Sequence, residues 1–119
     1  MASGDLVHLA SQYNTPTYRD VSTAAGYSSG KYGVSTAPTP SRDGDSGLWF
    51  LFAETSSPQD GALRAGDVVH ILSNYGPPNG GWLETMGLAP APATGLHGVY
   101  TNDYSNRDNN SGSWRFAQA

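Results

Sequence analysis

The chain states one pattern twice. GDLVHLASQY, beginning at Gly4, returns as GDVVHILSNY at Gly66, an offset of 62. TYRDVST from Thr17 aligns with GWLETMG from Gly81 at an offset of 64, and YGVST from Tyr32 with HGVYT from His97 at 65. RDGDSGLW, ending at Trp49, then matches RDNNSGSW, ending at Trp114, again at 65. Offsets that grow by one or two between matching blocks place small loop insertions between preserved elements, so one structural unit is laid down twice. A chain of 119 residues supports one modest core rather than two. The expectation is therefore a single domain over 1–119, built from repeat 4–54, linker 55–65 and repeat 66–119.

Each half divides into four short runs bounded by Gly, Pro, Asn and Ser. The expected strands are Leu6–Ser11, Thr17–Val21, Tyr32–Thr36 and Leu48–Ala53, then Val68–Ser73, Gly81–Thr85, His97–Thr101 and Ser113–Ala117. Period-2 alternation puts Val7 and Leu9 on one face with their matches Val69 and Ile71, and likewise Trp49 and Leu51 with Trp114 and Phe116; these are the expected core. PAPATG, after Leu88, has no period and reads as a connecting loop, and ETSSPQDGA as the link between halves. Only 13% of residues are charged, and Gly, Ser, Thr, Asn, Pro and Tyr are abundant. That suits strands and tight turns rather than long helices, and the fold class is all-β.

A net charge of −4 without a Lys/Arg cluster argues against nucleic acid and anionic membranes, which need a basic footprint. There is no cysteine, so disulfides and thiolate chemistry are excluded. No run is apolar enough for membrane insertion. MASGDLVHLAS lacks the charged and apolar regions of a secretory signal, giving an expected location in the cytoplasm or release without a signal peptide. The chain carries no Walker, dinucleotide or H-E-x-x-H pattern, so the reading is a binding protein without catalytic residues, metal or cofactor.

With four strands per unit, G-D-x-V-x-L opening the first, Y/W-x-D/E in the second and x-W-x-F/L closing the fourth, each half resembles a lobe of a β-trefoil, most like the ricin-type lectins and MIR-type modules. That resemblance implies a sugar-binding role for the second-strand aspartate, Asp20, whose place Glu84 takes in the second half. The chain departs from the family in having two lobes instead of three, and in placing Gly47 and Gly112 where the Q-x-W signature has glutamine. Two trefoil-like lobes have several ways to close: a pseudo-two-fold barrel, a sandwich, or a shell completed by dimerisation.

The residues themselves point to the same chemistry. Tyr18 with Asp20, and Trp82 with Glu84, stand two apart on a strand and so on one side of it. An aromatic ring offers a flat surface to the C–H face of a pyranose, and a carboxylate accepts from two hydroxyls. Tyr100, Asn102 and Tyr104 add adaptable polar contacts. The bland alternative is that the aromatics are core and the carboxylates satisfy turns. For the duplicated R-D-x-x-S-G-x-W the structural reading is favoured: Arg42/Asp43 and Arg107/Asp108 close a loop, and the glycine supplies a positive φ. His8 and His70 read as imidazoles bonded to backbone.

One mismatch between halves concerns association. Off the core, the first tryptophan strand carries Leu48, Phe50 and Phe52, where the second carries Ser113, Arg115 and Ala117. A strand apolar on both faces predicts a partner, here a homodimer through Leu48, Phe50 and Phe52. The leading functional expectation is a lectin-like protein whose partners are neutral glycans or glycoproteins, bivalent through its two lobes. Two alternatives stand beside it: a trefoil-like protein-binding module such as a protease inhibitor, using GYSSGKYG or YGPPNGG, and one component of a toxin or adhesion assembly.

Overall fold

The computed structural model describes residues 1–11, 17–24, 30–55, 59–86, 98–106 and 109–116, with the backbone alone at 22–24 and 86. Every regular element among them is a strand: β1 (Asp5–Val7), β2 (Ala10–Ser11), β3 (Thr17–Ala24), β4 (Gly30–Ala37), β5 (Trp49–Thr55), β6 (Val68–Ser73), β7 (Gly81–Met86), β8 (Gly98–Asn102) and β9 (Trp114–Arg115). The fold is all-β as expected, and no helix among the described residues is long and apolar enough to cross a membrane. Val68–Ser73 matches its expected bounds, and β3 and β4 extend beyond theirs. The last strand is shorter than expected. His97, Ala117, PAPATG, Arg107 and Asp108 lie outside the described residues.

The hydrogen-bonded order is β1-β5-β6-β7-β8-β4-β3-β2, with β9 on β6 beside this path, and every pairing is antiparallel. The two ends of the path, β1 and β2, are consecutive in the chain, separated only by His8 and Leu9. A path that begins and ends on one length of chain must bend back on itself, and the sheet is a strongly curled half-barrel. This explains why the single expected strand Leu6–Ser11 is broken: its first part pairs with β5 and its second with β3, and one straight segment cannot follow both.

Positions matched in sequence make matching bonds. Gly4 N donates to Leu51 O at 2.6 Å, and Gly66 N to Phe116 O at 2.6 Å. Two ladders, β4–β8 and β5–β6, join residues of the first half to residues of the second. The concave side carries the core: Val21, Trp49, Leu51, Val69, Ile71 and Leu83 are buried together with Leu63. Val7, Leu9, Trp114 and Phe116 pack against them partly buried, so all eight expected core residues belong to this cluster. Trp49 is 0% exposed; covering a side chain of that size contributes about 4–6 kcal/mol of transfer free energy.

Candidate functional site

Alternation along the strands decides which side chains can meet a ligand. In β3 and β7, Val21 and Leu83 face the core, so Tyr18, Asp20, Trp82 and Glu84 share the outer face. The structure then separates each aromatic from its carboxylate. Tyr18 is half-buried, its ring edge-on to His8 at 6.1 Å. Trp82 is half-buried, edge-on to His70 at 6.0 Å and 5.8 Å from Phe52. Asp20 and Glu84 are each 0% exposed, covered by the two tryptophan-motif loops.

The carboxylates hold those loops. Asp20 Oδ2 accepts from Arg42 N at 2.7 Å and from Ser46 Oγ at 2.8 Å, and Val21 N donates to Ser46 O at 2.9 Å. Glu84 Oε2 accepts from Ser111 Oγ at 3.1 Å, and Thr85 N donates to Ser111 O at 2.9 Å. His8 Nδ1 donates to Gly47 O and His70 Nδ1 to Gly112 O, both at 2.9 Å. Trp49 Nε1 donates to Arg19 O and Trp114 Nε1 to Leu83 O, again both at 2.9 Å. Arg42 lies along the outside of its loop, its Nε 2.8 Å from Asp43 Oδ2; that hydrogen bond and charge raise the guanidinium above its ordinary range.

The glycine of the motif has a different purpose from the one expected. Neither Gly47 nor Gly112 has a positive φ. Instead, a Cβ on Gly47 would stand 1.8 Å from Pro40 O, and one on Gly112 1.7 Å from Ser105 O. Each glycine is the place where the loop's two limbs touch backbone to backbone. A side chain there has no space.

The second half gathers its candidates into one block, since Trp82 pairs with Asn102 and Glu84 with Tyr100 across β7 and β8. Asn102 is 0% exposed, its Oδ1 accepting from Tyr104 N at 3.1 Å. Tyr100 is half-buried and Tyr104 is 65% exposed. Tyr18 and Asp20, two strands away on β3, do not join this block.

A neighbouring cluster comes from β5 and β6. Register places Leu6, Phe50, Leu72 and Trp82 directly opposite one another in one row across β1, β5, β6 and β7, on the outer face. Phe52, opposite His70, widens the row, 5.9 Å from Phe50. At its border Glu54 Oε2 accepts from Ser113 Oγ at 2.8 Å and lies 3.2 Å from His70 Nε2. Phe52 and Glu54 are two apart on β5, the same aromatic-plus-carboxylate spacing as Y-x-D and W-x-E, and here the carboxylate is not enclosed: its side chain is 37% exposed. The sequence held this signal in F-A-E. Among the described residues no group of three or more His, Asp or Glu is placed to hold a metal ion.

Comparison with protein-family models, with curated proteins and with solved structures returns no match.

Proposed function

We propose that this chain is an internally duplicated, lectin-like module that binds neutral glycans on the outer face of β5, β6 and β7. The observation that carries the reading is the half-exposed Trp82 standing against Phe52, with the Glu54 carboxylate at the border of the same face. Aromatic rings receive the apolar face of a pyranose, and a solvent-reached carboxylate takes a pair of its hydroxyls. Tyr100 and Tyr104 supply further hydroxyls on the adjoining strand and its loop. Asp20 and Glu84 contribute by position, fixing the loops that border the face rather than contacting sugar.

Binding of the wild type and variants to immobilised neutral glycans tests this. Trp82→Ala and Glu54→Gln are expected to remove binding while leaving the fold intact, and Tyr18→Ala to leave it unchanged. A folded wild type that binds no glycan, or a Trp82→Ala variant that binds normally, would reject the proposal. The rival reading as a protein-binding module draws on the exposed turn at 76–78. Inhibition of a serine or cysteine protease would favour it.

A further inference from the structure

The concave side of the half-barrel holds a cavity of about 320 Å³ lined from Leu9 and from β2, β3, β4, β6, β7, β8 and β9. Its wall is built from matched positions of the two halves: Leu9 with Ile71, Val34 with Val99, and Leu83, closed by Trp114. One match fails. At the position of Leu83, which is 6% exposed and part of the core, the first half carries Arg19. Strand alternation puts Arg19 on the inward side of β3, between outward Tyr18 and Asp20 and beside inward Val21.

Arg19 is anchored there by its backbone. Its N–H donates to Leu9 O at 2.8 Å and its carbonyl accepts from Trp49 Nε1 at 2.9 Å, so the Cα is fixed at the rim. The side chain is exposed and takes part in none of the ion pairs among the described residues. A largely apolar chamber of this size, with Ser11 on its wall and a single cation at its mouth, has the form of a small-ligand site, in which apolar walls supply affinity and a few polar groups fix orientation. Arginine is suited to a carboxylate, which it grips with two parallel N–H donors.

We infer that the concave cavity binds a small amphipathic carboxylate, its apolar body against Val34, Val99 and Trp114 and its head on Arg19. The site is separate from the outer glycan face and does not rest on it. At the ~30 Å³ a water molecule occupies in the liquid, the space admits about ten heavy atoms, which sets the probe: octanoate, with octanol as its uncharged counterpart. The competing role for Arg19 is to lay its methylene stem over apolar wall with the charge in water.

Isothermal titration with octanoate and octanol on wild type, Arg19→Leu and Arg19→Gln separates the two. Octanoate is expected to bind wild type at least about tenfold more tightly than octanol, as a charged hydrogen bond would give. Both variants should lose that preference, while octanol affinity stays within about twofold. Arg19→Leu copies the residue of the second half, and Arg19→Gln keeps a polar stem should leucine disturb folding. An ω-bromo-octanoate is expected to quench tryptophan emission in wild type and much less in Trp114→Phe. No octanoate binding, equal binding of acid and alcohol, an Arg19→Gln variant that keeps the preference, or quenching that survives Trp114→Phe would each overturn the proposal.

Discussion

Replacing Asp20 by alanine tests whether the carboxylate is a loop anchor or a sugar ligand. In the structure it receives two hydrogen bonds, from Arg42 N at 2.7 Å and Ser46 Oγ at 2.8 Å. Bonds to a charged acceptor contribute about 1.5–3 kcal/mol each, so the gross loss is about 3–6 kcal/mol. Alanine also relieves the cost of holding a carboxyl group away from water, which is several kcal/mol before compensation. Its Oδ1 has no partner among the described residues, which enlarges that offset. The net expectation is a destabilisation of about 3 kcal/mol, or a fall in Tm of about 12 °C for a domain of this size. Ser46→Ala alone should cost about 1.5 kcal/mol, and the double variant should recover roughly that amount as coupling, because both remove the same bond. Urea unfolding followed by tryptophan fluorescence measures all four corners of the cycle. If Asp20→Ala costs less than about 0.5 kcal/mol, or the coupling is zero, the anchoring role is refuted. Loss of glycan binding in a fully stable Asp20→Ala protein would return the residue to the sugar.

Other predictions follow from the same contacts. Gly47→Ala and Gly112→Ala should each destabilise by about 3 kcal/mol or more, since Pro40 O and Ser105 O are backbone and cannot swing away; Gly44→Ala, with φ +54 and open space around it, should cost only about 1 kcal/mol. Thermal denaturation of the three variants ranks them. The Asp60 carboxyl, held by the Arg64 hydrogen bond, should titrate by NMR at about 2 instead of the usual 3.8. Because the folded value is the lower one, the stability it lends is present above the ordinary carboxylate range and fades as pH falls toward 2. Phe50 and Phe52 belong to the proposed glycan face, so the expected homodimer through Leu48, Phe50 and Phe52 competes with sugar for it; light scattering that gives a dimer for wild type and a monomer for Phe50→Ser would assign the face to self-association, and a wild-type monomer would exclude the dimer.

Much of the architecture was legible in the sequence. The drifting offset located both sets of strands, and alternation in Trp49–Leu51 and Val69–Ile71 identified the residues that fill the concave side. The break at His8 and Leu9 was not visible, because nothing local interrupts LVHLAS; it follows from two partners at different angles. The burial of Asp20 and Glu84 was hidden for a related reason. Same-side spacing shows that a carboxylate accompanies an aromatic, but the loop lying over it comes from residues about twenty-five positions later. The glycines of S-G-x-W were identified as structural with the wrong cause, since closeness to Pro40 and Ser105 is a tertiary fact. Phe52 with Glu54 stood in the sequence as F-A-E, and Arg19 against Leu83 in the alignment of the two halves.

The placement of β1 and β2 at opposite ends of one path bears on how the molecule comes into being. Residues 5–11 are made before the strands they pair with, and β1 waits for β5 to emerge from the ribosome. With β4 on β8 and β5 on β6, neither half holds all its hydrogen-bonding partners alone. Folding should therefore be a single slow event, on the order of milliseconds to seconds, dominated by distant pairings. A nick in the link between halves would yield two fragments that are unstructured apart and recover a native spectrum only when mixed.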